Sequence, residues 1–532
     1  MKKIKYLIFL ASLGAVSCAK LGENPRSFIP ASQFYKTQAD AVAAVTAAYS
    51  LLNSGANSIQ TPYNTLFNTG MDFMSDDEAP GPGATNADVR SQAVLGHSAS
   101  GLRILQIWQQ HYAAIKKANI AIDTIPHIKF DATLNKRLVA EAKFLRALYY
   151  FNLVRLYGDV PLVLHDQTSI KLSDLQIART PYTTVYAQIE KDLTEATADL
   201  PNSYASADVG RATAGAAQSI LAKVYLTERK WQQAATTALS VINGPYGYDL
   251  FTNYPDVFLP ATKNGKEHIF SAQFKSNSLG QGNNQANRSV LTGIPGITGS
   301  YADQVTFYTV PDASKPDGKD HFFSVFKLYP AQDKRKYETF VTHFLSPSDG
   351  KYYGKLNDPK ILLDSVPFYN KYWDPGTIAN LSESGANVPI IRFSDVLLIH
   401  AEAENELNGP TTAAYTSLNR VRQRAGLSAL PDAVSGTLSQ NQLRQEIYLE
   451  RRLEFVFEYQ RWFDLIRERD GSDNGILEAS LLTVGKTNVS KGTISPIIIN
   501  GKPVANKFYL FPIPQQEIDN SNGKLKQNPG WN

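Results

Sequence analysis

Two helix-length segments, Ala212–Glu228 and Trp231–Ile242, follow one another almost without a break, and they constrain the fold more than any other stretch of the chain. Ala217, Ala222, Tyr225, Trp231, Ala234 and Ala238 recur at helical spacing, which puts small residues where two helices must approach closely. A second pair is predicted between Ser394 and Arg424, interrupted at Gly409-Pro410. Two such pairs so far apart predict a mainly α-helical scaffold that carries insertions.

Each pair has the pattern of a tetratricopeptide-type repeat. Other segments agree. Gln38–Leu52 is Ala-rich, Gly101–Ile125 is stopped by Pro126, and Tyr182–Leu200 is closed by Pro201. Between about Asn135 and Tyr157, Leu138, Ala142, Leu145 and Tyr149 form an apolar stripe, with Gly158 and Pro161 as stop signals. Residues 53–101, rich in Gly, Asn, Ser, Pro and Asp, are expected to be loop. Residues 243–390 are expected to be irregular loops with a few short strands, such as the run His268–Phe274. Loops this long in a helical protein are usually functional. The organisation expected is a helical part at 28–242, a loop-rich, ligand-facing insertion at 243–390 and a C-terminal part at 391–532, together one compact unit.

The N-terminus carries an address. Lys2, Lys3 and Lys5 precede an apolar run, Tyr6–Val16, too short for a bilayer core that needs roughly 20 residues. It fits a secretory signal peptide over residues 1–17. Cys18, the chain's 1 cysteine, follows directly in Ala15-Val16-Ser17-Cys18. That position predicts acylation of Cys18, with residues 18–27 as a polar tether and outer-membrane lipid as a partner. A lone cysteine also excludes an internal disulfide. Losing residues 1–17 removes three of the 53 basic residues and none of the 49 acidic ones, so the mature chain is nearly neutral and no nucleic-acid partner is expected.

No catalytic pattern stands out. The 8 histidines include no two within five positions, so no helical two-histidine metal pair exists, and no cofactor or metal is expected. Neither a phosphate-binding glycine loop nor a Gly-x-Ser-x-Gly elbow is present. Paired carboxylates for glycan cleavage could lie in the acidic knot Asp72-Phe-Met-Ser-Asp76-Asp77-Glu78, where a solvated loop is the plainer reading. Glu446, Glu450, Glu454 and Glu458 recur every four residues, with Arg444, Arg451, Arg452, Arg461 and Arg467 within reach. Like charges at that spacing repel unless compensated, so a structural ion lattice built on Glu450, Arg451, Glu454 and Arg461 is expected.

Six segments in order then carry a resemblance. They are Glu141-Ala-Lys-Phe-Leu-Arg-Ala-Leu-Tyr-Tyr-Phe-Asn152 with Gly158-Asp-Val-Pro161, Ile391-Arg-Phe-Ser-Asp395 with Ala401-Glu-Ala-Glu404, and Leu418-Asn-Arg-Val-Arg-Gln-Arg-Ala-Gly426. Ile447-Tyr-Leu-Glu-Arg-Arg-Leu-Glu454 leading to Arg461-Trp-Phe-Asp464, Phe511-Pro-Ile-Pro514 and Gln527-Asn-Pro-Gly530 complete the set. Together they resemble the SusD/RagB family from end to end. The resemblance implies a surface-exposed lipoprotein of the cell outer membrane, active in nutrient uptake and polysaccharide utilisation and not an enzyme. It also implies delivery of a bound glycan to a SusC-like TonB-dependent transporter.

A carbohydrate site needs aromatic faces for the ring and polar groups for the hydroxyls. The two loop-rich regions offer Asp72, Asp77 and Arg90, and Asn283, Asn284, Tyr301 and Tyr308, with Tyr352, Tyr353 and Trp373 in reserve. The competing reading is a tetratricopeptide-type surface scaffold that grips a peptide or protein on its concave helical face.

Overall fold

Asp131 starts the longest helix by accepting a hydrogen bond from Leu134 N at 2.7 Å, three residues earlier than the apolar stripe alone indicates. In this computed structural model the described residues are 34–531, apart from 55–60, 82, 170, 277–279, 289–303, 306, 311–320, 342–343, 346–347, 351, 354–366, 432–435, 478–483, 489–492 and 497–505. Helices of seven or more residues are α1 Gln38–Tyr49, α2 Ala87–Ala93, α3 Leu102–Thr124, α4 Ala132–Tyr157, α5 Tyr182–Asp199 and α6 Ala214–Thr227. They continue with α7 Trp231–Ile242, α8 Phe393–Asn408, α9 Thr412–Arg424, α10 Gln440–Phe455 and α11 Arg461–Arg467.

From α3 to α9 each helix packs on the next, giving a continuous stack of tetratricopeptide-like pairs. Ala217, Ala222, Ala234 and Ala238 are buried without residual exposure, as the close approach of α6 and α7 requires. The stack runs directly from α7 to α8, although residues 243–392 leave and return between them. A two-stranded antiparallel pair closes that excursion. Strand β1, His268–Ala272, lies beside β2, Val388–Arg392, and β2 feeds straight into α8. Phe393 N donates to Glu267 O at 2.9 Å, so the base of the insertion is bonded shut. Gly409, at φ +77, ends α8 in the left-handed region before Thr411 caps α9.

Residues 53–101 depart from the loop expected there. Pro62–Leu66 and Asn68–Asp72 form a π-helical run around Phe67, with Leu66 N donating to Thr61 O and Phe73 N to Asn68 O. Tyr63, Leu66, Phe67 and Met71 recur on one side of it and are buried in the main core. The Gly, Asn and Pro content hid that spacing. The run then passes into the short strand Glu78–Ala79, which pairs with Gln304–Val305; that strand pairs with Phe368–Tyr369, and Phe340–Val341 lies beyond.

Candidate functional site

The acidic knot is not a solvated loop. Asp72, Asp76, Asp77 and Glu78 are all buried, and each holds an arginine. Arg288 bridges Asp72 and Glu78, while Tyr459 N donates to Asp72 Oδ1 at 3.0 Å. Arg461 forks onto Asp76 at 2.7 and 2.8 Å, and Arg452 reaches Asp77 Oδ1 at 2.7 Å. Burial pushes Asp72 up to about 7, more than Arg288 can offset. Burial acts on Asp76 too, but Arg452 and Arg461 outweigh it and hold that carboxyl at about 2. The knot thus clamps the 61–79 segment to α10 and α11. The expected roles of Asp72 and Asp77 toward a sugar are corrected accordingly, because these carboxylates already face guanidinium groups in the interior.

Those clamps belong to a larger lattice centred on α10. Glu454 receives Arg335 at 2.9 Å, Arg392 at 2.8 Å and Arg424. Although burial raises its pKa, Arg424, Arg392 and Arg335 together hold it well below the carboxylate range. Glu450 accepts from Arg335 at 2.6 Å, and Arg451 spans Asp395 and Asp464 at 2.9 and 3.3 Å. Glu458 lies past the end of α10, where Arg392 and Lys371 pair with it at 2.7 Å each. Arg335, Arg392, Glu267 and Lys371 are members that helical spacing could not supply, since they come from β2 and from the insertion. A charge inside an apolar run, as Arg392 in Val-Pro-Ile-Ile-Arg-Phe, was the one available signal.

Two of the remaining candidates, Asn283 and Asn284, join segments far apart in the chain. Asn284 N donates to Asn64 Oδ1 at 2.8 Å, and the Asn284 amide reaches Thr65 Oγ1 at 3.4 Å. Asn283 is buried; its backbone pairs with Ser384, and its amide donates to Ala386 O. Ser384 Oγ in turn donates to Asp374 Oδ2 at 2.7 Å, next to half-buried Trp373. A bonded path therefore runs from Asn64 through Asn284 and Ser384 to the Trp373 turn, joining the two loop-rich regions. Arg90, in the last turn of α2, spends one nitrogen on Gly81 O at 2.9 Å. Tyr308 sits on the strand Phe307–Val310, and Tyr352 and Tyr353 form a two-residue strand. Tyr301 and Cys18 lie outside the described residues.

Among the described residues no group of three His, Cys, Asp or Glu could hold a metal ion. His97, His111 and His268 are core residues, driven down by burial to about 3, 4 and 4.

This arrangement has relatives. A family model described as the SusD family matches residues 266–531, and one described as starch-binding associating with outer membrane matches 35–226. A SusD-like protein P2 of Formosa agariphila is 30% identical, covering 100% of each chain. The chain belongs to the SusD/RagB family. The starch-binding protein SusD of Bacteroides thetaiotaomicron is 23% identical over 88% of this SusD-family chain and 86% of its own. A SusD superfamily protein from Parabacteroides distasonis superposes with a TM-score of 0.71 at 26% identity, covering 92% of this chain and 99% of that one. A laminarin binding SusD-like protein shares the fold at TM-score 0.70 and 24% identity, over 93% and 100% of the two chains.

This SusD-family fold has further concavities. One of about 640 Å³ lies between α3 and residues 517–525 and is walled by Trp108, Tyr112 and the exposed Leu172 and Leu175. Another, about 200 Å³, holds the stacked rings of Tyr246 and Tyr248, 5.7 Å apart, beside an Arg211 already paired with Glu141 and Asp208.

Proposed function

We propose that this protein binds an oligosaccharide or similar polar nutrient on the face where residues 64–65, 284 and 373–384 meet, and passes it on unchanged. Cys18, once acylated, holds it at the outer surface of the outer membrane, beside a SusC-like TonB-dependent transporter that receives the cargo. The observation that carries this reading is the bonded union of two loop regions more than 200 residues apart, with amides and an indole along it. Amides serve sugar hydroxyls and the indole serves the apolar ring face. Family membership supports the same reading, as do relatives named starch-binding and laminarin binding.

The chemistry of the knot supports binding over cleavage. A glycosidase acid must release a proton to the leaving oxygen from a raised pKa. Asp76, on which burial acts but which Arg452 and Arg461 hold at about 2, is ionised throughout the neutral range. Asp72, though raised by burial, is enclosed with Arg288 and the Tyr459 amide. Transport also favours modest affinity, near or weaker than micromolar, about −8.2 kcal/mol. The anchoring and partner claims are tested together in native membranes. Cys18→Ala should leave the membrane fraction, and the wild type in mild detergent should co-purify with a barrel transporter. Retention of the variant, or purification without any barrel protein, would contradict them.

A further inference from the structure

The C-terminal end of α4, the start of α5, α6 and α11 enclose a cavity of about 540 Å³, closed on one side by Tyr509 and Leu510. None of its lining residues belongs to the loop face. Its lining is unbalanced in charge, with six cationic side chains against two carboxylates, Glu228 and Asp464. Four of the cations are matched by carboxylates in or behind the wall. Lys223 pairs with Asp395, Arg229 with Asp473, Arg451 with Asp395 and Asp464, and Arg467 with Glu402 and Asp464.

Arg155 and Arg469 are different. Among the described residues neither has a carboxylate oxygen within the 4.0 Å of an ion pair. Arg155 is gripped between two rings, its guanidinium carbon 3.9 Å from the Phe151 centroid and 3.6 Å from that of Phe463. Its Nε donates to Phe151 O and its Nη2 to Asn152 Oδ1, and Nη1 has no acceptor among the described residues. Arg469 engages Nη1 alone, with the carbonyls of Ile466 and Glu468. Burial lowers Arg155 to about 10, so it stays charged at neutral pH. A half-buried guanidinium, fixed in a planar sandwich, with Asp395 and Asp464 near enough to support its charge but no carboxylate in ion-pair contact among the described residues, is a preformed receptor for an oxyanion. In the same cavity Tyr182 exposes 54% of its surface, with Tyr186 6.5 Å from it and near-perpendicular. An exposed ring in the same cavity as a guanidinium with Nη1 open is the pairing an acidic sugar needs.

We propose that this cavity takes the charged group of an acidic saccharide, a uronate carboxylate or a sugar sulfate ester, on Arg155 and Arg469, with Tyr182 against the sugar ring. The proposal rests on the protein being a saccharide binder and adds the chemical class of one ligand, held at a second site. The full chain is titrated by calorimetry with D-glucuronate, glucose 6-sulfate, glucose and inorganic sulfate, and separately with neutral laminarihexaose. Glucuronate or the sugar sulfate should bind about tenfold tighter than glucose, the factor that corresponds to about 1.4 kcal/mol, and tighter than inorganic sulfate. Arg469→Gln should abolish that preference with unchanged thermal midpoint and unchanged laminarihexaose binding. Arg155→Lys, which keeps the charge and loses the planar fork, should weaken it severalfold. The proposal is overturned if charged and neutral sugars bind alike or if Arg469→Gln retains the preference. It is equally overturned if inorganic sulfate binds as well as the sugars, which would make this a plain anion site. Binding of charged sugars without laminarihexaose would instead contradict the loop-face reading and leave this one standing.

Discussion

The helix α10 and the described part of residues 243–390 differ in the range of the contacts that set their structure. α10 is built from local rules: Ser439 caps it through a reciprocal bond with Gln442, and Leu443, Ile447 and Leu453 bury one stripe. The insertion has few regular elements of its own. Its described parts share the main core and are also fastened to the stack by buried charges, Glu267 to Arg392 of β2 and Arg424 of α9, Arg335 to Glu450 and Glu454 of α10, and Lys371 to Glu458. A region without periodicity can thus be firmly placed when long-range ion pairs join a shared core, here entered by Tyr254, Phe258, Phe340 and Tyr372. Buried pairs stabilise little compared with apolar packing, yet breaking one strands a charge. Placement, more than net stability, is what the lattice contributes.

The largest effect should follow from removing the hub. Glu454→Ala leaves Arg335, Arg392 and Arg424 without their shared partner. Denaturant unfolding should report a loss of about 3–5 kcal/mol, whereas Tyr337→Ala in the insertion, 65% exposed, should change stability by less than about 0.5 kcal/mol. Equal effects at both positions would erase the contrast between lattice and surface.

The next effect is smaller and local. Asp76→Asn weakens the fork with Arg461 and the pair with Arg452, and a loss of about 1.5–3 kcal/mol is expected for a charged hydrogen-bonded group. Hydrogen exchange should quicken in residues 61–79 before it does in α6 and α7. Protection lost uniformly would mean the knot does not clamp that segment.

What was legible follows the same division. The α6–α7 pair, the break at Gly409 and the glutamate row of α10 could be read because each is set by residues within one or two turns. The partners of that row could not, since Arg335, Arg392 and Glu267 approach α10 only through the fold. The same holds for Asp72 and Asp77, whose loop composition says nothing about the guanidinium groups opposite them. Of the proposed loop face, Asn284 is legible in composition, but Asn64, its bonded partner, carries no sequence signal.

A pH series sharpens the comparison within the lattice. Burial first, then the neighbouring Asp464 charge, raises Glu468 to about 8. Its folded pKa lies above the unfolded value of about 4.3, so its contribution is complete below that value and is lost as pH rises toward 8. Asp76 behaves oppositely: held at about 2 by Arg452 and Arg461 against the effect of burial, it stabilises above its unfolded pKa and stops doing so as pH falls toward 2. Glu468→Gln should therefore flatten the stability profile between about pH 4 and 8 and leave the acid limb intact. A profile unchanged by Glu468→Gln would contradict the assignment. The smallest stability effect should be Ser439→Ala, about 1 kcal/mol from the lost cap.

The central claim, that the joined loop face binds a glycan and does not cut it, is tested most directly by titrating laminarihexaose into the full chain and into Trp373→Ala, with chromatography of the sugar afterwards. The account predicts near-micromolar or weaker binding by the wild type, at least about tenfold loss in Trp373→Ala, and intact hexasaccharide in both samples. Shortened sugar that disappears in Asp76→Asn, or binding indifferent to Trp373, would contradict it.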